Sequence, residues 1–360
     1  MSRLKFAIIG CGRISYKHVE ALVNNYSEAV LTATCDIDIN KAEDKKNEYI
    51  STLNNGYKDV TAYSDYKEML EKEDIDVVTI ATESGYHAEI AIYAMKKRKH
   101  VMVEKPMALS IKDADEMIKT AHENEVKLAV CHQNRFNKPI QKLREAVEGR
   151  KFGKLINGTA RILWNRNMGY YHQAPWRGTW DLDGGTLMNQ CIHNIDLLQW
   201  MLGGEVDTVY AQCDTFMRNI EAEDFGAVII RFKNGAIGIV EGSACVYPKN
   251  LEETLSIFGE KGTAVIGGLA VNELETWRFE EEDEEAVKQS LKVKIDNVYG
   301  LGHTPLFKDV IDAINNDKTP LISGEQGKKA MSIILAAYKS GKTGMPVKFP
   351  LDDFSTTDMK

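Results

Sequence analysis

Short apolar runs at 4–9 (LKFAII), 30–36 (VLTATCD), 76–80 (DVVTI), 101–104 (VMVE) and 127–131 (KLAVC) alternate with amphipathic stretches at 13–25, 40–50, 86–98 and 111–124. The runs are near-continuously apolar, the pattern of strands buried on both faces. In the stretch IKDADEMIKTAHEN the apolar positions fall three and four apart, as on one face of a helix. Strands alternating with helices predict βαβ units and a doubly wound parallel sheet. After residue 126 the rhythm changes. A helix is expected near 137–149, a β stretch at 155–164, a polar and aromatic segment at 165–182, and a helical pattern at 185–202. Period-two runs follow at 206–213, 225–232, 236–242 and 253–258, with a hairpin signal at Lys233-Asn234-Gly235. The pattern predicts an α/β protein of two domains, 1–126 with the parallel sheet and 127–360 with a large, mainly antiparallel, open-faced sheet.

Composition sharpens this picture. At 43% apolar and 27% charged residues, 360 positions are enough to bury a core without disulfide or metal. A formal net charge of −8 argues against a nucleic-acid surface. The six cysteines (11, 35, 131, 191, 213, 245) lack C-x-x-C or zinc-site spacing and read as reduced, mostly buried thiols, with no metal expected. No run has the length of a signal-peptide core or a membrane span, so a cytoplasmic enzyme with no membrane partner is expected. The acidic run Glu280 to Glu285 reads as a solvated hairpin tip between strand-like segments, and the basic run Lys96 to Lys99 as the close of a helix.

The first candidate for chemistry is Gly10-Cys11-Gly12-Arg13-Ile14-Ser15, between a strand and a helix. In a dinucleotide fingerprint the first glycine permits the tight turn and the second lets a pyrophosphate approach the helix N-terminus. Ser15 stands where the third glycine is usual, and a small residue is tolerated there. Arg13 can stack on adenine or attract a phosphate. Asp36 closes the second strand, where a carboxylate accepts from the adenosine ribose 2′-OH and repels a 2′-phosphate, which favours NAD over NADP. Further on, Glu104-Lys105-Pro106 ends a parallel strand at the edge where such folds bind ligands, and in GGTLMNQCIHNIDLLQWMLGG, Asn189 and His193 fall four apart on one helix face, with Asp196 close to it.

GCGRIS, HVMVEKPMALS and the GG-x-L-x-N-x-x-x-H-x-x-D run together resemble the Gfo/Idh/MocA oxidoreductase family over nearly the whole chain. The resemblance implies an NAD(P)-binding Rossmann domain, an α/β substrate domain that oligomerises as a homodimer or homotetramer, and hydride transfer at a secondary alcohol of a sugar-like small molecule. It assigns Lys105 and His193 to the catalytic lysine and histidine. The family often has aspartate where Asn189 stands, and an amide cannot accept a proton, so Asn189 is expected only to hydrogen-bond substrate. Glu104, Thr82, Glu83, His87 and Asn134 fall where the family lines the cofactor cleft, beside Gly10, Gly12, Arg13, Ile14 and Asp36. His18 is read as structural.

Within the family, RILWNRNMGYYHQAPWRGTWDLDGG, YPKNLEETLSIFGEKGTAVIGG and GHTPLFKDVIDAI are similar to the branch that oxidises UDP-N-acetylamino sugars, including the glucosaminuronate, at C3. Arg166, Arg177 and Lys249 are then candidates for an anionic substrate, Tyr170 and Tyr171 for a sugar or uracil face, and Trp176, with Arg177 beside it, for the nicotinamide edge. The same aromatics would also serve as core. Lys105 or His193 could take the hydroxyl proton, and the sequence leaves that choice open. Rival readings are a dehydrogenase of a free sugar or inositol, an NAD-retaining glycosidase of the family, and a non-catalytic sensor.

Overall fold

A computed structural model describes residues 3–203, 205–292 and 300–360. Two compact units emerge. The first comprises 1–108, 112–131 and 303–327, and the second 109–111, 132–302 and 328–360. The boundary expected at residue 126 thus differs in two ways. The last strand of the first sheet lies beyond it, and a helical segment, 303–327, returns to the first unit before the final strand of the second sheet, at 347–348.

The first unit runs β1 (Leu4–Ile9), α1 (Ser15–Asn24), β2 (Ala29–Cys35), α2 (Ile39–Leu53), β3 (Thr61–Tyr63), α3 (Tyr66–Lys72), β4 (Val77–Ile80), α4 (His87–Lys96), β5 (His100–Val103), α5 (Ile111–Glu123) and β6 (Leu128–Val130). Its strand order is β3-β2-β1-β4-β5-β6, with all pairings parallel. Phe6, Ile8, Leu31, Val77, Val78, Ile80, Met102 and Val130 are fully buried, which is why these strands read as unbroken apolar runs.

The second unit runs α6 (Lys138–Glu148), β7 (Leu155–Leu163), α7 (Met168–Tyr171), a π-helical turn at Leu187–Cys191, α8 (Ile192–Leu202), β8 (Val206–Asp214), β9 (Phe225–Phe232), β10 (Ile237–Ser243), β11 (Glu252–Gly259), β12 (Gly262–Gly267), β13 (Glu273–Phe279) and α9 (Glu284–Leu291). After α10 (His303–Asn315), which belongs to the first unit, α11 (Gly324–Thr343) leads back to β14 (Val347–Lys348). The eight-stranded sheet has order β13-β12-β11-β7-β10-β9-β8-β14, and only β7 and β10 pair in parallel. One face is covered by α8. At Gly242 an added Cβ would lie 2.6 Å from Cys191 Sγ, so the absence of a side chain there is what lets the π turn lie on the sheet. The other face exposes Tyr210, Ile229 and Ile239, which are neighbours in register across β8, β9 and β10.

The acidic run is not a hairpin tip. Glu280 to Asp283 form a turn, the Asp283 carboxylate accepts from the N–H groups of Glu285 and Ala286, and Glu284 and Glu285 occupy the first turn of α9. Carboxylates are favoured at that positive helix end. The strand-like segment expected after it falls on 293–299, outside the described residues. All six cysteines are free thiols, and no described helix is long and apolar enough to cross a membrane.

Candidate active site

In the first unit, backbone hydrogen bonds carry the parallel pairing past the ends of the strands and set four loops at the carboxyl edge. Gly10 N donates to Cys35 O at 2.8 Å, Ala81 N to Ile9 O at 2.7 Å, Glu104 N to Ile80 O at 2.9 Å and Cys131 N to Val103 O at 2.8 Å. The order reverses between β1 and β4, the switch point at which doubly wound sheets bind ligands. Gly10, at φ +90°, lies against the β4 end, where a Cβ would be 2.6 Å from Ala81 C. Gly12 faces open space, with no atom within 4 Å of an added Cβ, and Arg13 is exposed beside it, while Ile14 caps α1. Ser15, at the position of the missing third glycine, is buried and donates to Gly12 O at 2.7 Å. The departure therefore braces the loop.

Asp36 Oδ2 accepts from Cys11 N at 2.8 Å and Oδ1 from Asp38 N at 2.9 Å, which fixes a half-buried carboxylate at the glycine loop. An open cradle at a helix N-terminus beside such a carboxylate fits a dinucleotide with an unmodified 2′-OH. Asp36→Ala is expected to narrow the preference for NAD over NADP. Asp36→Asn, which keeps the acceptor and drops the charge, should do so without loosening the loop. Calorimetric titration of both nucleotides checks this, and tighter NADP than NAD binding by the parent chain would contradict it.

Lys105 leaves the sheet at the end of β5, half-buried, and its bond to Pro106 is cis. Thr82 and Glu83 are half-buried after β4. Two expected cofactor contacts turn inward instead. His87 is 1% exposed, with Nδ1 2.8 Å from Pro106 O and Nε2 3.1 Å from Thr82 O. Burial lowers its pKa, so the ring is neutral, and the shorter contact carries its one N–H. Glu104 is buried against His18 and His303. Sequence reasoning could not see this, because those partners lie 86 and 199 positions away.

In the second unit the π turn and α8 carry Asn189 and His193. Its amide groups find side-chain partners. Glu223 Oε1 accepts from Leu187 N at 2.7 Å, and the Tyr338 hydroxyl accepts from Gly185 N at 3.1 Å and Met188 N at 3.2 Å while donating to Glu223 at 3.1 Å. Such anchoring holds a helix start that lacks intrahelical acceptors. Burial pushes the Glu223 carboxyl up to about 8, and also that of Glu253. From about pH 4.5 to 8 the folded chain then keeps a proton that the unfolded chain has released. Stability should fall as pH rises through that window, by up to about 1.4 kcal/mol per pH unit from each group. Glu223→Gln is expected to flatten the slope of urea-unfolding stability between about pH 5.5 and 7.5, and an unchanged slope would contradict this.

The His132 ring meets the His193 ring edge-on at 5.6 Å, and Gln133 Nε2 lies 3.5 Å from His193 Nε2. Asp196 forms a bidentate pair with Arg135, at 2.7 and 2.6 Å, both side chains being at most 1% exposed. Asn134, beside Arg135, is 4% exposed. Asn189 donates to Asp183 Oδ1 and accepts from Gln190 Nε2 at 2.6 Å. A carboxylate, that of Asp183, thus stands beside the amide at 189. A small cavity is lined by Tyr170, Tyr171, Asp183, Thr186, Asn189 and Gln190. Arg166 donates to Gln190 at 2.9 Å and Arg177 to the Tyr170 hydroxyl, and the Arg177 guanidinium lies 4.3 Å from the Tyr170 ring centroid and 4.6 Å from that of Trp176. Lys249 is exposed, and it is Asn250 that accepts from Arg166, at 3.3 Å. Asp183, His132, Gln133, Glu223 and Tyr338 escaped the sequence reading. A carboxylate six positions before Asn189 was the one usable signal.

Residues 4–132 match the oxidoreductase family with an NAD-binding Rossmann fold, and residues 140–265 match the GFO/IDH/MocA C-terminal domain. The chain is 34% identical to the WlbA dehydrogenase from Bordetella pertussis, solved in complex with NADH and UDP-GlcNAcA, with a TM-score of 0.85 over 98% of this chain and 100% of that one. It belongs to the Gfo/Idh/MocA oxidoreductase family. A second member of the family, the WlbA dehydrogenase from Chromobacterium violaceum, likewise solved with NADH and UDP-GlcNAcA, is 36% identical, with a TM-score of 0.86 over 97% of both chains. Myo-inositol 2-dehydrogenase from Thermotoga maritima is 29% identical over 96% of this chain and 98% of its own. The Gfo/Idh/MocA assignment makes the first unit an NAD-binding Rossmann domain and the chain an NAD-dependent dehydrogenase of the sugar and inositol type.

Proposed function

We propose that this chain oxidises the C3 hydroxyl of a nucleotide-linked amino sugar, UDP-N-acetylglucosamine or its uronate, as a cytoplasmic homodimer or homotetramer. The observation that carries the reading is the cluster of Arg166 and Arg177 around Tyr170, a tyrosine that lines the same cavity as Asn189 and Gln190. Two guanidiniums beside aromatic faces suit an anionic group next to a base or sugar ring. A neutral polyol has no use for them. The likeness at 34–36% identity to two dehydrogenases solved with UDP-GlcNAcA supports the same reading. The exposed row Tyr210, Ile229 and Ile239 supports assembly through the open sheet face.

NAD, when bound, supplies the hydride acceptor. Lys105 and His193 are the residues to hold and remove the hydroxyl proton, and Asn189, tied to Asp183, orients the sugar. Burial pushes the Tyr171 phenol far up, so it stays protonated and makes a poor base. The 29% identity to an inositol dehydrogenase favours a second reading, oxidation of a cyclic polyol. Calorimetry on the NADH complex separates them. UDP-N-acetylglucosaminuronate is expected to bind, with Arg177→Ala weakening it at least about tenfold, and myo-inositol is not. The reverse preference would overturn the proposal.

A further inference from the structure

Side chains from distant parts of the sequence converge on the Glu104 carboxylate inside the first unit. His18 of α1 is 0% exposed, His303 at the start of α10 is 2% exposed, and Cys131 after β6 is fully buried beside them. His18 Nε2 lies 2.9 Å and His303 Nε2 3.3 Å from the same oxygen, Oε1. A carboxylate oxygen only accepts, so both Nε2 atoms carry the proton. The Thr79 hydroxyl, 2.6 Å from His18 Nδ1, then donates to the remaining ring nitrogen and fixes that tautomer. Burial alone would raise the Glu104 carboxyl, but the two imidazole hydrogen bonds outweigh it and hold the group well below its usual range. Its second oxygen, Oε2, accepts the backbone N–H of Lys105 at 3.3 Å. On the other side of the same turn, the Pro106 carbonyl is held by His87.

We propose that His18 and His303 are positioning residues for Lys105, acting through the Glu104 carboxylate on the peptide at which the lysine leaves the sheet. The proposal rests on the reading of Lys105 as a residue at the reacting hydroxyl. A buried carboxylate held by two imidazoles, the Lys105 N–H and the Cys131 thiol has one orientation. With one imidazole gone it can rotate, and the Lys105 N–H loses its fixed acceptor. A misplacement of about 1 Å at a reacting group costs on the order of 10²-fold in rate. Strands β7 to β13 of the second unit intervene in the sequence between Glu104 and His303, and the segment that begins at His303 returns to the first unit, where its histidine meets the Glu104 carboxylate.

The test follows Lys105 itself in the full chain with NADH bound. Lysines are dimethylated with ¹³C, the Lys105 resonance is identified by its loss in Lys105→Arg, and its titration midpoint is read by NMR. His303→Leu is expected to move that midpoint by about 0.5 of a pH unit or more. His303→Gln, which returns an N–H at similar reach, is expected to restore it, and NADH affinity should stay within about twofold in both. Should His303→Leu not fold, His303→Phe keeps the ring, and the same displacement is expected. An unchanged midpoint in a folded Leu or Phe variant, or the same displacement in His303→Gln, would overturn the proposal. No sugar enters the assay, so a wrong substrate leaves the result standing. Failure of the Lys105 reading would show separately, as full turnover by Lys105→Met.

Discussion

Lys105→Met and His193→Ala are each expected to keep the fold and to bind NADH as the parent does, and to lose about 10²- to 10⁴-fold in turnover, the range that general acid–base assistance supplies. Oxidising an alcohol requires that the hydroxyl proton leave as the hydride does. Lys105 belongs to the first unit and His193 to the second, and the proposed reaction assigns the proton to these two side chains. Asn189→Ala should cost less than either, because an amide, here bonded to Asp183 and Gln190, cannot take up the hydroxyl proton. Stopped-flow measurement of nicotinamide reduction checks the ranking. If Asn189→Ala abolishes hydride transfer while His193→Ala remains active at pH 7 to 8, the base has been misassigned and Lys105 must act alone.

Asp196→Ala should destabilise the second unit by about 3–5 kcal/mol, as removing one partner of a buried ion pair does. Arg135, at 1% exposure, would keep its charge with no carboxylate to meet it. Burial alone would raise the Asp196 carboxyl, but the charge of Arg135 holds it below its usual range, so the pair is ionised when folded. The Arg135 guanidinium also lies 4.6 Å from the Trp200 ring centroid, so the loss would spread into α8, which carries His193. Urea unfolding followed by tryptophan fluorescence measures it. A change below about 1 kcal/mol would mean that water reaches Arg135 in the variant and that the pair is not the brace described.

The parallel sheet was legible because its strands are buried on both faces and read as apolar runs. The three-residue edge strand β3, Thr61–Tyr63, was not, since a half-exposed TAY has no such signature. The glycine loop, Asp36, Lys105 and His193 were legible because each sits at a strand end or on a helix face whose spacing is local. What escaped is non-local. His303 returning to Glu104 leaves no mark in periodicity, because the apolar stripe of α10 would suit either core. The helical spacing at 185–202 predicts ordinary helix and not the π turn at 187–191, whose amides bond Glu223 and Tyr338, far along the chain. His87 and Glu104 occupy positions next to the cofactor loops, but position along the sequence does not tell whether a side chain faces the cleft or the core.

The central claim, C3 oxidation of a UDP-linked amino sugar by NAD, is tested most directly by a single-turnover experiment. The NAD-loaded chain is mixed with UDP-N-acetylglucosaminuronate and, separately, with myo-inositol, while the near-ultraviolet absorbance of NADH is followed and the products are identified by mass spectrometry. The account predicts one NADH per site with the nucleotide sugar, a product two hydrogens lighter with the UDP intact, and no reduction with myo-inositol. Reduction by myo-inositol alone, or release of the sugar from UDP with no net NADH, would contradict it.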